Sequence, residues 1–402
     1  WMPAAEMVLS SGRSAITDAA RTYWSLHPLT IGEFFLPLPI SAFPLAAEWR
    51  QAFFEGREPF LSSMFLGAAI LPLFLAALAD PLIPRAIRLP GFLGAVGAIL
   101  TAFGKHSAFY AILVTVVPLL KIVRYPSKAM IPAAVLICVF AGVGVASVRR
   151  SDRSRRVAWA GVLVLAVAAL MMMGPLIGPL VKTFMDSTNP EGIVEIYRNL
   201  PDDMIETLVL LALLAGFAAV PSRRLSTALL ILLGIGHLRQ GGAIHDGLNA
   251  TVPRDVLSYR PAFLDVMRPP PGGRLYVYDY WGIKGRASRY LPEQASGSWP
   301  KLKDLSPEAA GLVTARTYLT PLTGAYWNVE YAWDVDLRML FHPRLADMTL
   351  GMRRVEETPG FLKLLQISGV HRVVAMHEEG MAPLTLLARE DFHPKPIRIF
   401  GV

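Results

Sequence analysis

The chain has one cysteine, Cys138, among its 402 residues, and it has few charged side chains. A single thiol excludes an intramolecular disulfide and a metal site built from several cysteines. Charged residues make up 17% of the sequence, whereas an ordinary soluble domain has about 25%. This shortage of charge excludes a typical soluble protein and indicates that lipid surrounds much of the chain.

The sequence also lacks the fingerprints of cofactor and nucleic-acid binding. Gly272 and Gly273 stand outside any nucleotide-binding motif. His245 and Asp246 are adjacent, but a metal site needs three or four convergent ligands. The net charge of +8 lies mostly in short loops, and no basic stripe interleaves with aromatic rings. We therefore expect no metal, no other cofactor and no nucleic-acid partner.

Long apolar runs are what the sequence has instead. Hydrophobic residues make up 53% of it, and the mean hydropathy is +0.42. One run continues for about 25 residues without a charge, enough to span ~30 Å of hydrocarbon. The predicted fold class is a multi-span α-helical membrane protein, with apolar runs at Leu61–Leu78, Gly91–Phe103, Ala108–Val123, Met130–Val148, Val157–Val181, Met204–Val220 and Leu225–Leu238.

The charges of the loops predict how these runs cross the membrane. Loop Arg149–Arg156 has five arginines in eight residues, and Pro221–Arg224 and Asp80–Leu89 are also basic. The positive-inside bias places all three in the cytoplasm. The acidic loop Lys182–Asp203 then lies outside. Alternation leaves residues 239–402 in the extracytoplasmic space of a multi-pass protein of the plasma (inner) membrane.

Segment 104–128 has both ends outside in this arrangement. We therefore expect the run Ala108–Val123 to be re-entrant or to lie along the outer interface, where non-helical backbone must be covered by protein or line a cavity. The number of crossings is then about six, and a true crossing of this run would make it about seven.

The C-terminal third has a different character. We predict a strand at Leu275–Tyr278, a helix at Pro359–Ile367 and a strand at Gly369–Ala375. This succession is typical of an α/β domain. The last residues, Lys395–Val402, read as a strand that stops, and the first residue is Trp1. We therefore expect an internal piece of a longer protein, with a truncated C-terminal domain.

Three regions follow from these patterns. Residues 1–60 are mixed in composition and form an outer-face or interfacial segment. Residues 61–238 form the transmembrane helical domain, which includes the interfacial segment 104–128. Residues 239–402 form the extracytoplasmic α/β domain.

A basic cluster follows the run Ala108–Val123. Arg124 offers a planar fork and Lys128 a compact charge, and both suit phosphate oxygens. Lys105 and His106 belong to the same outer segment. These cations could instead anchor helix ends by reaching anionic lipid. Their outer position favours a phosphate site, because basic residues are usually retained inside.

The sequence Arg-Tyr-Pro-Ser-Lys at 124–128 resembles a motif of YfhO-like bacterial membrane proteins, in the class C glycosyltransferase (GT-C) superfamily. Two further stretches are similar to that family. One runs from Trp1–Met7 through Ser10–Arg13 to Trp24–Pro28 and Leu36-Pro37, and the other is Leu364–Val374. The three occur in the family's order and cover most of the chain.

The resemblance implies an enzyme that moves a sugar from a polyprenyl-phosphate donor to a glycan or protein acceptor in cell-envelope assembly. It implies that Arg124 and Lys128 contact the donor phosphate, with Tyr125 between them and Arg13 as a further candidate. In that superfamily the catalytic carboxylate lies in the first outer loop. We expect that loop before Trp1, so no residue of this sequence is named as the base.

Two other classes of function stay open. A transporter or flippase-like protein for a lipid-linked substrate would use the same cations for binding alone. Ion-coupled transporters usually place ionisable residues near the bilayer midplane, and the apolar runs here have almost none. A non-catalytic envelope scaffold would use the outer domain for docking, and an upstream loop without an acidic residue would favour it.

Overall fold

The chain divides into two compact units, Ile16–Leu248 and Asn249–Val402 with Trp1–Ala15. A computed structural model gives their architecture. The residues that it describes are 6, 10–11, 16–56, 59–245, 254, 258–280, 307–320, 322–334, 342–356, 358–390 and 396–402.

The first unit is helical. A 3₁₀ segment, Pro28–Phe34, precedes a series of α-helices. These are α1 (Ala47–Phe54), α2 (Ile70–Ala79), α3 (Arg85–Ala102), α4 (Ala108–Val116), α5 (Met130–Arg150), α6 (Asp152–Met173), α7 (Ile177–Phe184), α8 (Pro190–Ala219) and α9 (Arg223–His245).

Helices long and apolar enough to cross a membrane are found among them. The four candidates are Arg85–Ala102, Pro126–Arg150, Asp152–Met173 and Arg223–Ile244, and between 11% and 33% of their apolar stretches are buried. Large aliphatic side chains such as Leu163 at 65% and Leu238 at 77% are therefore exposed. An apolar surface of this extent suits lipid and not water. The helical unit accordingly has the features of a membrane protein.

Short helix α2 lies in the centre of the unit, packed between α5 and α6. Its Ala76 and Ala77 are fully buried. A Cβ atom at Gly144 of α5 would lie 2.0 Å from the carbonyl oxygen of Leu73. Small residues let helix backbones approach closely where no hydrophobic effect drives association. Gly144 thus sets the distance between α2 and α5.

Several predicted helical limits differ in the structure. The run Leu61–Leu78 becomes helical only at Ile70, because the amides of Leu66 and Gly67 bond to the Phe34 carbonyl at 2.9 and 3.2 Å. The ten residues of α2 rise about 15 Å, half of the hydrocarbon thickness.

The run Val157–Val181 is divided after Met173, where Gly174 ends α6. The acidic loop Lys182–Asp203 is a helix from Pro190 onward, because Asn189 caps α8 and proline at its first position is compatible with a helix.

The basic loops meet at one end of the helical unit, as their charges predict. Arg150 Nε lies 2.6 Å from the buried carboxylate of Asp80, which joins the α5–α6 loop to the α2–α3 loop. Arg149 donates to the carbonyl of Val220 at 2.5 Å, which joins the α8–α9 loop to them. The 21 residues of α5 place Met130 about 32 Å from this end.

The second unit contains a four-stranded sheet in the order β1–β2–β4–β3. Strand β1 (Arg274–Val277) is parallel to β2 (Val370–Ala375), and β4 (Ile397–Gly401) is antiparallel to both β2 and β3 (Thr385–Glu390). The helices α10 (Pro307–Thr317), α11 (Pro343–Val355) and α12 (Pro359–Ile367) belong to the same unit. The predicted helix at 359–367 and the strands near 275, 370 and 397 are confirmed.

A polar network is buried in this second unit. Glu356 accepts a hydrogen bond from the Tyr276 hydroxyl and pairs with Arg353 at 3.2 Å. Arg353 also donates to the carbonyls of Val277 at 2.6 Å and Trp333 at 2.7 Å. Buried charge is tolerated when it is paired and hydrogen-bonded in this way. The network joins β1 to α11, so Tyr276, Arg353 and Glu356 have a structural role.

The compact units place two region limits differently from the sequence patterns. Helix α9 continues to His245, past the predicted boundary at residue 238, and the second unit begins at Asn249. The predicted outer-face segment 1–60 is divided, because Trp1–Ala15 is grouped with the second unit.

Candidate functional site

Both ends of segment 104–128 lie against one loop, Arg21–Leu26. The amide of Leu26 bonds to the carbonyl of Ala102 at 2.8 Å, just before the segment. At its other end the amide of Tyr125 bonds to the carbonyl of Arg21 at 3.2 Å, and that of Ser127 to the carbonyl of Trp24 at 3.3 Å. Helix α4 spans about 14 Å. The segment therefore leaves and returns at the same end of the helical unit.

Close backbone contact at this end depends on unusual conformations. Gly104 has φ +47°, and a Cβ atom there would lie 2.1 Å from the Ser25 hydroxyl and 2.8 Å from the Pro126 ring. Trp24 and Tyr125 also have positive φ angles, 54° and 68°. Such a backbone costs a non-glycine residue on the order of 1 kcal/mol or more. The surrounding packing holds both aromatic residues in place despite this cost.

Trp24, Phe60 and Tyr125 form an aromatic trio beside the basic cluster. The Trp24 and Tyr125 rings meet edge to face with centroids 4.5 Å apart, and Phe60 lies 5.6 and 5.5 Å from them. The Lys128 ammonium lies 4.9 Å from the Tyr125 ring centroid and 5.5 Å from that of Phe60. Cation–π attraction at these distances holds an ammonium group in place without neutralising it.

Charge at the aromatic trio is positive. Lys128 is exposed and forms no ion pair with any residue in the described part of the chain. The Arg124 guanidinium carbon lies 4.6 Å from the Tyr125 centroid, on the same residue whose ring Lys128 contacts. The structure thus brings together the three residues Arg124, Tyr125 and Lys128 that the sequence singled out.

Lys105 and His106 lie in the turn Gly104–His106, where both are exposed and each contacts another side chain. The Lys105 ammonium pairs with the Glu55 carboxylate at 2.7 Å. The His106 ring lies 5.1 Å from that of His27. Partial burial, with the nearby charges of His27 and Lys105, lowers the pKa of His106. Lys105 is a paired cation, and its charge is offset locally.

Arg13 lies outside the described residues, and so does Asp246. Arg21, the next arginine along the chain, is described by the structure, and its guanidinium pairs with the Asp18 carboxylate at 2.5 Å. Among the described residues, no group of three or more histidine, cysteine, aspartate or glutamate side chains is placed to hold a metal ion.

A buried carboxyl group was not anticipated from the sequence. Glu33 is 5% exposed, and its Oε1 accepts a hydrogen bond from the amide of Ile40 at 2.6 Å. Burial raises the pKa of Glu33 to about 8, while that hydrogen bond opposes the rise. An isolated acid within the apolar stretch 31–40 was the available signal. The contacts of Trp24 and Phe60 with Tyr125 were not predicted for a different reason. Residues so far apart in the chain cannot be paired by any sequence rule.

Two cavities lie in the same unit, and neither is lined by a residue of the basic cluster 124–128. One of about 370 Å³ is bordered by α8 and the region around α1, and its polar lining is Arg50, Asn189, Glu195, Asn199 and Asp203. The other, of about 500 Å³, lies along α8 and α9 and is bordered by Asp203, Glu206 and Arg239 at its polar side.

Comparisons with protein-family models, with curated proteins and with solved structures found no match.

Proposed function

We propose that the chain belongs to a membrane-embedded glycosyltransferase that takes its sugar from a polyprenyl-phosphate donor at the outer face of the plasma membrane. The observation that carries this proposal is the exposed Lys128 ammonium, held against two aromatic rings without an acidic partner in the described part of the chain. It stands at the end of α5 opposite to the arginine-rich loops.

The chemistry of the donor suits such a group. When the glycosidic bond breaks, the polyprenyl phosphate leaves with negative charge, and fixed cations stabilise that charge most when their positions are set in advance. Arg124 beside the Tyr125 ring supplies a second positive group. The polyprenyl chain would lie along the exposed apolar faces of the spanning helices, which reach the same end of the unit.

The membrane arrangement that accompanies this function follows from charge. The loops joined by Arg149 and Arg150 face the cytoplasm under the positive-inside rule. Segment 104–128 and the C-terminal unit are then extracytoplasmic. A transporter of a polyprenyl-linked substrate is less favoured. Ion-coupled transporters usually place ionisable residues near the bilayer midplane, whereas the four candidate spans carry their arginines and lysines near the helix ends.

Binding of a radiolabelled polyprenyl phosphate to the chain in nanodiscs tests the proposal. The matched ligand is polyprenol of the same length, which lacks the phosphate. We expect Lys128→Met to weaken phosphate binding about tenfold, the effect of one lost charged hydrogen bond, and to leave polyprenol binding unchanged. Lys182→Met, which removes an exposed lysine in α7 away from the aromatic trio, is the control.

Equal binding of the two lipids by the wild-type chain would overturn the phosphate site, as would full phosphate binding by Lys128→Met. Transfer is measured separately with polyprenyl-phosphate hexoses in vesicles that contain the complete protein. Phosphate binding without any sugar transfer would leave a binder or scaffold and refute the enzyme.

A further inference from the structure

The cavity of about 370 Å³ is bounded by a pre-formed wall. The amide of Ala46 bonds to the carbonyl of Phe184 at 2.9 Å, and the amide of Asp186 bonds to the carbonyl of Pro44 at 2.8 Å. On the other side Asn189 caps α8 by accepting from the amide of Gly192 at 3.0 Å. The first two bonds hold the loop before α1 against the end of α7 and the connection to α8. The cleft therefore exists without a ligand to shape it.

Its lining combines hydrogen-bond donors and acceptors, since carboxylates accept, a guanidinium donates and asparagine amides do both. Asn189, Glu195, Asn199 and Asp203 come from α8 and its cap, and Arg50 comes from α1. Burial and the neighbouring carboxylates of Glu206 and Asp202 raise the pKa of Asp203 to about 6. Such a set suits the hydroxyl groups of a sugar. The carboxylates would repel a phosphate, so this cleft and the Lys128 cluster favour different ligands.

Asp203 also borders the second cavity, of about 500 Å³, along α8 and α9. The polar side of that cavity includes the ion pair between Arg239 and Glu206 at 2.8 Å. Apart from Asp202, its remaining lining has no charged side chain and includes Ile205, Val209 and Leu213. A polar cleft beside an apolar groove fits an amphiphile, with a hydroxylated head in the first and an aliphatic chain in the second.

Helix α1 connects the cleft to the turn that carries Lys105. Arg50 lines the cleft, and Glu55, which follows the helix, pairs with Lys105 beside the Arg21–Leu26 loop. Five residues of helix correspond to about 7.5 Å along the axis. Helix α1 thus links the cleft to the loop Arg21–Leu26, against which both ends of segment 104–128 pack.

We propose that the cleft lined by Glu195, Asn199 and Asp203, with the groove along α8 and α9, binds the neutral sugar head and aliphatic chain of a lipid-anchored acceptor. This inference rests on the proposed transferase function and assigns its acceptor class, a neutral glycolipid.

Dodecyl maltoside is the probe, because it joins an uncharged sugar head to a single aliphatic chain. The protein is kept soluble in amphipol, and the probe is added below its critical micelle concentration. Hydrogen–deuterium exchange is then followed in peptides from residues 39–50 and 189–213. Dodecyl octaethylene glycol ether, with the same tail and no sugar, is the matched ligand. We expect protection by the maltoside in both peptides and little from the ether.

The double variant Glu195→Ala/Asn199→Ala removes two exposed side chains from α8 while keeping good helix formers. We expect its apparent affinity for the maltoside to fall about tenfold or more, the effect of two lost hydrogen bonds. Glu191→Ala/Arg198→Ala, on the same helix but outside the cleft lining, should bind as the wild type does.

Equal protection by the maltoside and the ether would overturn the sugar site, and so would undiminished maltoside binding by the Glu195/Asn199 variant. Polyprenyl phosphate binding is measured on the same samples. Its retention with loss of the maltoside effect would refute the acceptor site alone. If the wild-type chain does not bind polyprenyl phosphate at all, the donor site is refuted, and the proposed function with it.

Discussion

At the scale of single residues, the environment of a group decides its chemistry more than its type does. Lys128 and Lys105 are both lysines of the same outer segment, yet one faces aromatic rings and the other pairs with Glu55. Glu33 and Glu48 are both acids near the N-terminus, yet the first is buried and the second is exposed. These contrasts supply matched pairs for experiment.

Glu33 makes the stability of the protein depend on pH. Its folded pKa of about 8 lies above the ordinary value of 4.5, so the folded state holds the proton more tightly. Stability is then greatest below about pH 4.5 and is lost as pH rises through about 8. We expect Glu33→Gln, whose carbonyl oxygen still accepts from Ile40, to remove this loss, at about 1.4 kcal/mol per pKa unit.

Thermal unfolding of the purified protein in detergent, measured from pH 5 to about pH 9, checks this expectation. The Tm of Glu33→Gln should exceed that of the wild type increasingly toward high pH. Glu48→Gln, at an exposed position, should keep the wild-type slope. Parallel curves for wild type and Glu33→Gln would show that Glu33 ionises normally and that the argument from burial is wrong.

At the scale of elements, glycine positions decide how closely the helices pack. Gly144 and Gly142 are both in α5, but a Cβ atom at 144 would meet the Leu73 backbone at 2.0 Å, whereas one at 142 would meet nothing within 4 Å. Backbone atoms cannot move aside as the end of a flexible side chain can. The α2–α5 contact therefore depends on Gly144 alone of this pair.

We expect Gly144→Ala to lower stability by about 1–3 kcal/mol, the usual cost of overpacking a filled interior. Gly142→Ala should be neutral or stabilising by up to about 1 kcal/mol, since alanine is the better helix former. Thermal unfolding of both variants in one detergent gives the comparison. Equal Tm values for the two would show that α2 and α5 do not approach as closely as described.

At the scale of the whole molecule, the two ends of the helical unit differ in charge and in what they present. One end joins three loops through Arg149 and Arg150. The other carries the aromatic trio, the Lys128 cluster and the polar cleft. In the proposed arrangement a membrane between these ends would separate the arginine-rich loops from both proposed binding regions.

Single-cysteine labelling tests that separation. In a Cys138→Ala background, exposed Ser222, Ser187 and Lys121 are replaced by cysteine one at a time. A membrane-impermeant maleimide applied to intact cells should label positions 187 and 121 and spare 222. Inverted vesicles should give the opposite pattern. Labelling of 121 and 222 from the same side would refute the arrangement and remove the phosphate site from the outer face.

The sequence is sufficient to predict the helices and strands that have local signatures. The end of α5 and the helix at 359–367 follow from runs of apolar residues bounded by arginine, proline or glycine. It also determined that the arginine-rich loops share one side, because their charge is local. The cluster 124–128 was visible for the same reason, since its members are neighbours in the chain.

Contacts between groups that are distant in the chain depend on the packing of the folded protein. The pairing of Lys105 with Glu55 joins residues 50 positions apart, and Trp24 reaches Tyr125 across about twice that separation. The late start of α2 depends on bonds between Leu66, Gly67 and Phe34. Spacing along the chain fixes what one helix or strand presents, but burial and long-range contacts arise from packing, which no local pattern encodes.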